Sequence, residues 1–228
     1  MPADTLSDSK KIIEFSGLKW YVAHSTIPMA PGPNFWSDEN VWVDEAGRLH
    51  LKLTKDSVTG LWQCAELASA ESFGAGQYSF FVEGRIDRMD KNIVFGMFQY
   101  SGDDLYDEID IEYAEWGKEH GSNLTCSVHP KKGIRESKWN AAARIDLEGT
   151  YTTNRFTRNN ASINFQGLHG FRTDDSLLFY SATCHREKII TLRQMPVYLN
   201  LWLFRGQPPS DGKEVELVIH KFSFTPAS

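Results

Sequence analysis

The chain is poor in cysteine, with only Cys64, Cys126 and Cys184 among 228 residues. An odd count at wide spacings fits neither a disulfide framework nor a zinc site, so free buried thiols are expected. No apolar run approaches the ~20 residues of a membrane span, and no membrane partner is expected. Positive charge is in deficit, with 24 Lys and Arg against 30 Asp and Glu. Phosphate binding needs a basic footprint, so a nucleic-acid partner is not expected either. The sequence has no block of like charges, no low-complexity tract and no repeat of fixed period. The leading MPADTLSDSKK is polar and lacks the apolar h-region of a signal peptide. Either the protein stays in the cytoplasm or a leader was removed. No segment shows a sustained 3.6-residue apolar period, which excludes a helical architecture.

What is present is β pattern. NVWVDEAGRLHLKLT (40–54) reads as two alternating runs around a turn at Glu45–Gly47. LWQCAELAS alternates, and FGAGQYSFFVEGRI does so again after a Gly-rich turn. NIVFGMFQY is nearly all apolar, as a central strand would be. Further runs are NLTCSVH, ASINFQGLHGF, SLLFYSATC, VYLNLWLF and EVELVIHKFSFT. The expected fold is all-β, an antiparallel β-sandwich or jelly roll, with 41% hydrophobic residues to fill one core. Residues 1–10 read as a loose arm and 11–228 as one domain without a linker; a monomer is expected.

The stretch LYDEIDIEYAEW (105–116) stands apart. Acids are poor strand formers, yet Glu108, Asp110 and Glu112 alternate with Ile109 and Ile111. Residues two apart share a face, so three like charges face one way and the isoleucines the other. Paired carboxylates suit glycoside hydrolysis, one attacking the anomeric carbon and the other protonating the leaving oxygen. Crowded negative charge also raises the pKa of one acid toward working pH. Cα atoms four apart on a strand are ~13 Å apart, whereas a retaining site needs carboxyls ~5–5.5 Å apart, so both side chains must lean inward. Two other readings remain open at this point. The acids could simply face solvent, or they could hold calcium or magnesium through oxygen ligands.

DEIDIE resembles the active-site signature of the family-16 glycoside hydrolases, the jelly-roll enzymes that include lichenases and laminarinases. WQCAELASAESFGAGQYSFFVEG resembles the family's C-A-E-x-R-S segment with its following turn and strand. NIVFGMFQYSGDDLYDEIDIE resembles the strand-loop-strand that delivers the acids. MPVYLNLWLF and ENVWVDEAGRLHLKL resemble the late N-L-W strand and the early hairpin. The likeness spans most of 34–226. It implies a concanavalin A-like jelly roll and a retaining, endo-acting hydrolase of a β-glucan-type polysaccharide, β-1,3-1,4- or β-1,3-linked first, with no cofactor in the chemistry. Glu108 would be the nucleophile, Glu112 the general acid/base and Asp110 the assisting carboxylate. The uninterrupted E-x-D-x-E looks more like the lichenase branch. If a leader was removed, the resemblance implies secretion. A sugar-binding module that has lost turnover, and a transglycosylase using the same residues, are the alternatives.

The resemblance also implies substrate contacts. Glu66 matches the glutamate of C-A-E, which binds sugar hydroxyls, or is a salt-bridged strand acid. Phe98 and Tyr100 share a face, and Tyr106 shares parity with Glu108; each is a sugar platform or core. Trp116 continues the parity of Glu112. Asn200 and Trp202 have parity opposite to Leu199, Leu201 and Leu203, placing the leucines in the core and the other two in the cleft. Asn34 and Trp36 fall in a loop, where an aromatic is costly unless it is covered or binds something. His129 would face a sugar or the acid/base, or solvent. Ala68 stands where the family has an arginine, Asn154 where it has a histidine and Arg158 where it has a tryptophan. His220 stands where many members carry a calcium-ligand aspartate, so a structural calcium is doubtful and no metal ligand is assigned. Cys64 matches a position that is disulfide-bonded in some lichenases, without an early partner here.

Overall fold

A computed structural model describes residues 11–227, so the expected arm at 1–10 lies outside the described residues. The strands, in chain order, are β1 (Ile12–Phe15), β2 (Leu18–Val22), β3 (Phe35–Trp36), β4 (Val41–Val43), β5 (Leu49–Lys55), β6 (Trp62–Phe73), β7 (Gly76–Glu83) and β8 (Ile93–Tyr100). They continue as β9 (Glu108–Ala114), β10 (Leu124–Val128), β11 (Trp139–Ala143), β12 (Tyr151–Arg158), β13 (Ile163–His169), β14 (Leu178–Cys184), β15 (Met195–Leu203) and β16 (Val215–Pro226). The only helical pieces among the described residues are short 3-10 turns.

The strands join in the order β11-β10-β9-β8-β15-β6-β5-β16-β7-β12-β13-β14. β5 and β6 pair only at Thr54 with Gln63 and Lys55 with Trp62. This corner divides the ladder into two layers, with β2 and β1 extending the first beyond β6 and β4 flanking β5 in the second. The layers are stacked face to face. Trp139 of β11 lies parallel to Phe165 of β13, ring centroids 5.8 Å apart. Trp20 of β2 meets Phe222 of β16 edge-on. All neighbours are antiparallel except β3 beside β6. The expected jelly-roll sandwich is the architecture found.

Sequence alternation decides which side chains enter the core. On β5 Leu49, Leu51 and Leu53 are fully buried, while His50, Lys52 and Thr54 point outward. On β15 Leu199, Leu201 and Leu203 are core, as their parity predicts. β8 is apolar almost throughout: Ile93, Phe95 and Met97 enter the core between the layers, and Phe98 and Tyr100 turn the other way. The three cysteines are buried and free. No helix among the described residues is long and apolar enough to cross a membrane.

Candidate active site

β9 lies between β8 and β10 in the first layer. Ile109, Ile111 and Tyr113 enter the core. Glu108, Asp110 and Glu112 therefore face the opposite, concave side, where neighbouring strands set their surroundings. Asp110 lies beside Phe98 of β8 and Ser127 of β10. Glu112 lies beside Gly96, which in turn lies beside Asn200 of β15, and Asn200 beside Glu66 of β6. Gly96 is required here, since a Cβ at that position would stand 2.4 Å from Asn200 Oδ1. The missing side chain leaves room for the Asn200 amide to donate to Glu66 Oε2 at 3.2 Å.

The electrostatics of the three acids follow from their confinement. Burial, more than any neighbouring charge, pushes Glu108 up to about 7. Burial and then the charge of Glu108 push Glu112 up to about 8. Asp110 rises well above the usual carboxylate range, first through burial and then through repulsion by Glu108 and Glu112. The closeness of the Glu108 and Asp110 carboxyls acts oppositely on them, lowering Glu108 and raising Asp110. The ammonium of Lys138, ahead of edge strand β11, opposes all three rises. His129 Nε2 is 3.8 Å from Glu108 and 3.7 Å from Asp110. Burial, and then Lys138, lower its pKa to about 4, so the imidazole is neutral at neutral pH.

The acids line a cleft of about 470 Å³ together with Glu66, Phe98, Tyr100, His129, Asn200 and Trp202. Its floor is aromatic: Phe98 stacks on Tyr198 with centroids 5.1 Å apart and planes 18° from parallel. Glu66 is 2% exposed, and burial raises it to about 7. Among the described residues, Glu66 Oε1, Asn200 Oδ1, Trp202 Nε1 and Ser127 Oγ are buried without a hydrogen-bond partner. Unpaired buried polar atoms are uncommon, and the first three of these belong to cleft-lining side chains. The arrangement can accept and donate hydrogen bonds to a polyhydroxyl ligand whose apolar face rests on the rings.

The cleft also contains residues the sequence reading missed: Ala30, Pro31, Asp104, Leu105 and Tyr198. Tyr198 was reachable, being two residues before Asn200 on the same face. Leu105 was not, because it belongs to the loop before β9 and takes φ +70°.

Four expected contacts are placed elsewhere. Asp107 and Leu105 both have positive φ, which breaks strand parity just before β9, and Tyr106 does not line the cleft. β9 ends at Ala114 and Trp116 has φ +53°, so the parity of Glu112 does not reach it; Trp116 lines a neighbouring groove. Trp36 belongs to β3 rather than a loop and is 1% exposed in the core. Asn34 is also buried, its amide donating to the carbonyls of Pro31 at 2.6 Å and Leu203 at 2.9 Å. It braces the loop that carries Ala30 and Pro31 to the cleft. Of the family departures, Ala68 lies opposite Tyr198. Asn154 is not a cleft residue, since it accepts from Tyr113 Oη at 2.7 Å between the layers. Arg158 is buried there too, donating to Gln99.

Glu108, Asp110 and His129 bring ligand-capable atoms within 4.8 Å of one another. His220, at the expected calcium position, is bonded to Glu83 at 2.7 Å. A paired imidazole does not fit a hard cation that takes oxygen ligands.

No protein-family model matches the chain, and no curated protein does. Solved structures do. The β-glucanase of Bacillus licheniformis is 20% identical with a TM-score of 0.69, over 94% of this chain and 95% of that one. The Bacteroides ovatus mixed-linkage-glucan GH16 protein, solved with a G4G4G3G product, is 11% identical with a TM-score of 0.70, over 96% and 98%. A pseudo β-1,3-glucanase of Mycobacterium tuberculosis is 15% identical with a TM-score of 0.69, over 92% and 91%. At these identities the likeness shows the fold.

Proposed function

We propose that the chain is a retaining, endo-acting glycoside hydrolase of a β-glucan-type polysaccharide. The observation that carries this reading is the row of three acids, Glu108, Asp110 and Glu112, on one face of a cleft that also holds Glu66 and Asn200. Glu108 attacks the anomeric carbon and forms a glycosyl-enzyme. Glu112, protonated at neutral pH, delivers its proton to the leaving oxygen and then takes one from the incoming water. Asp110 donates to Glu108, localising the charge before attack and receiving less of it as the covalent bond forms. Glu66, Asn200 and Trp202 meet sugar hydroxyls, and the Phe98–Tyr198 pair supports a ring face. The neighbours named as a β-glucanase and a β-1,3-glucanase, and the one solved with a mixed-linkage-glucan product, support mixed-linkage or β-1,3-glucan as the first substrates to try.

One observation favours a second reading, a glycan binder without turnover: the same fold is found in a protein described as a pseudo β-1,3-glucanase. Reducing-sugar release from barley β-glucan, laminarin and xyloglucan, by wild type and Glu108→Gln, separates the two. Release that disappears in the variant supports the hydrolase and names its substrate. Equal release by both removes Glu108 from its role. Binding of a glycan without release by folded wild type supports the second reading. Product analysis then distinguishes transfer to water from transfer to sugar.

A further inference from the structure

Beside the cleft, at the ends of β8, β9 and β15, lies a separate groove of about 480 Å³. It is lined by Asn92, Trp116, Gly117, Lys118, Phe204, Arg205 and Gln207. Trp116 and Phe204 meet edge-on with centroids 5.5 Å apart. Trp116 also touches Trp202 at 6.3 Å, so a single aromatic wall divides groove from cleft. The three loops are tied by backbone bonds. Gly117 N–H donates to Lys91 and Phe204 N–H to Asn92, at 2.8 and 2.7 Å. Gly117 has φ +75°, a backbone conformation that favours glycine, and lies in van der Waals reach of the Phe204 ring.

The charges are the second observation. The nearby acids are already neutralised, Glu115 by Arg144 and Glu119 by Lys91. Lys118 and Arg205 have no carboxylate within 4.0 Å among the described residues. Arg205 holds φ +56°, and its guanidinium sits 5.0 Å over the Phe204 ring. A chain of net charge −6 thus presents two unpaired cations beside two aromatic rings and two amides, Asn92 and Gln207.

We infer that this groove binds a pyranose bearing a carboxylate or sulfate, carried as a substituent or branch of the glycan in the cleft. Trp116, whose ring carries no cation, takes the apolar face of the sugar, and Lys118 and Arg205 take the anion. The inference rests on the glycan reading above for the ligand being carbohydrate, but not on turnover. The test therefore measures binding, by calorimetry on Glu108→Gln protein with cellotetraose, tetragalacturonate and a sulfated galactan tetrasaccharide. At least one acidic probe is expected to bind about tenfold tighter than cellotetraose at low salt, with the advantage shrinking as salt rises. Adding Lys118→Ser with Arg205→Gly, the glycine accepting the positive φ, should remove that advantage. Preference for one acidic probe alone identifies the anion. Acidic probes that bind no tighter than cellotetraose, or a preference that survives the double substitution, would overturn the inference. Absence of hydrolysis by wild type would count against the catalytic reading while leaving this comparison intact.

Discussion

The two faces of β9 are built from the same seven residues and do opposite things. Ile109, Ile111 and Tyr113 are at most 2% exposed and join the layers. Glu108, Asp110 and Glu112 are confined in a cleft where ionisation is penalised. The first face lowers the free energy of the fold, and the second raises it at neutral pH. A strand that alternates with period two can hold both because each substitution reaches only one face. The comparison is broken most directly by Glu108→Gln. On the proposed mechanism, the substitution removes the nucleophile and should lower kcat by about 10⁴ or more, while the thermal midpoint stays equal or rises. A variant that loses activity because it unfolds, as circular dichroism would report, would mean that the two faces are not independent.

The opposite face gives the complementary result. Ile111→Ala removes buried carbons between layers and should cost about 2–5 kcal/mol in urea unfolding. The turnover of the molecules that remain folded should change far less. Gly96→Ala sits where the cleft face is tightest. Its Cβ would displace the Asn200 amide and loosen the bond to Glu66. A rise in KM equivalent to about 0.5–1.5 kcal/mol, the net worth of one hydrogen bond, is expected, against a smaller change in kcat. Unchanged KM would show that Asn200 does not hold substrate.

Legibility in the sequence followed the same division. Period-two alternation placed the leucines of β5 and β15 and the acids of β9 on their proper sides, because inside a strand parity is fixed by backbone geometry. It failed at Tyr106 and Trp116, where positive φ at Leu105, Asp107 and Trp116 ends the alternation. Trp36 was ambiguous for another reason. Its cover comes from strands far along the chain, and nothing local distinguishes a covered tryptophan from one that stacks on a ligand. The groove cations Lys118 and Arg205 were invisible for the same reason, since their lack of partners depends on where Arg144 and Lys91 fold.

The smallest expected effect is the sharpest test of the charged face. An unfolded glutamate titrates near 4.5, and Glu112 in the fold near 8. Between those values the folded protein holds a proton that the unfolded chain has released. Stability from this group is therefore complete below pH 4.5 and is lost as pH rises toward 8. Glu112→Gln carries no such proton and should escape the loss. Urea unfolding of wild type and variant should differ least at pH 5 and separate steadily in the variant's favour as pH rises to 8. The pH–rate profile of wild type should be a bell, its acid limb following Glu108 near 7 and its alkaline limb Glu112 near 8. A wild type that gains stability over the variant between pH 5 and 8 would place an ionised Glu112 in the folded cleft. An ionised Glu112 has no proton for the leaving oxygen, so the acid would then have to be sought in Asp110.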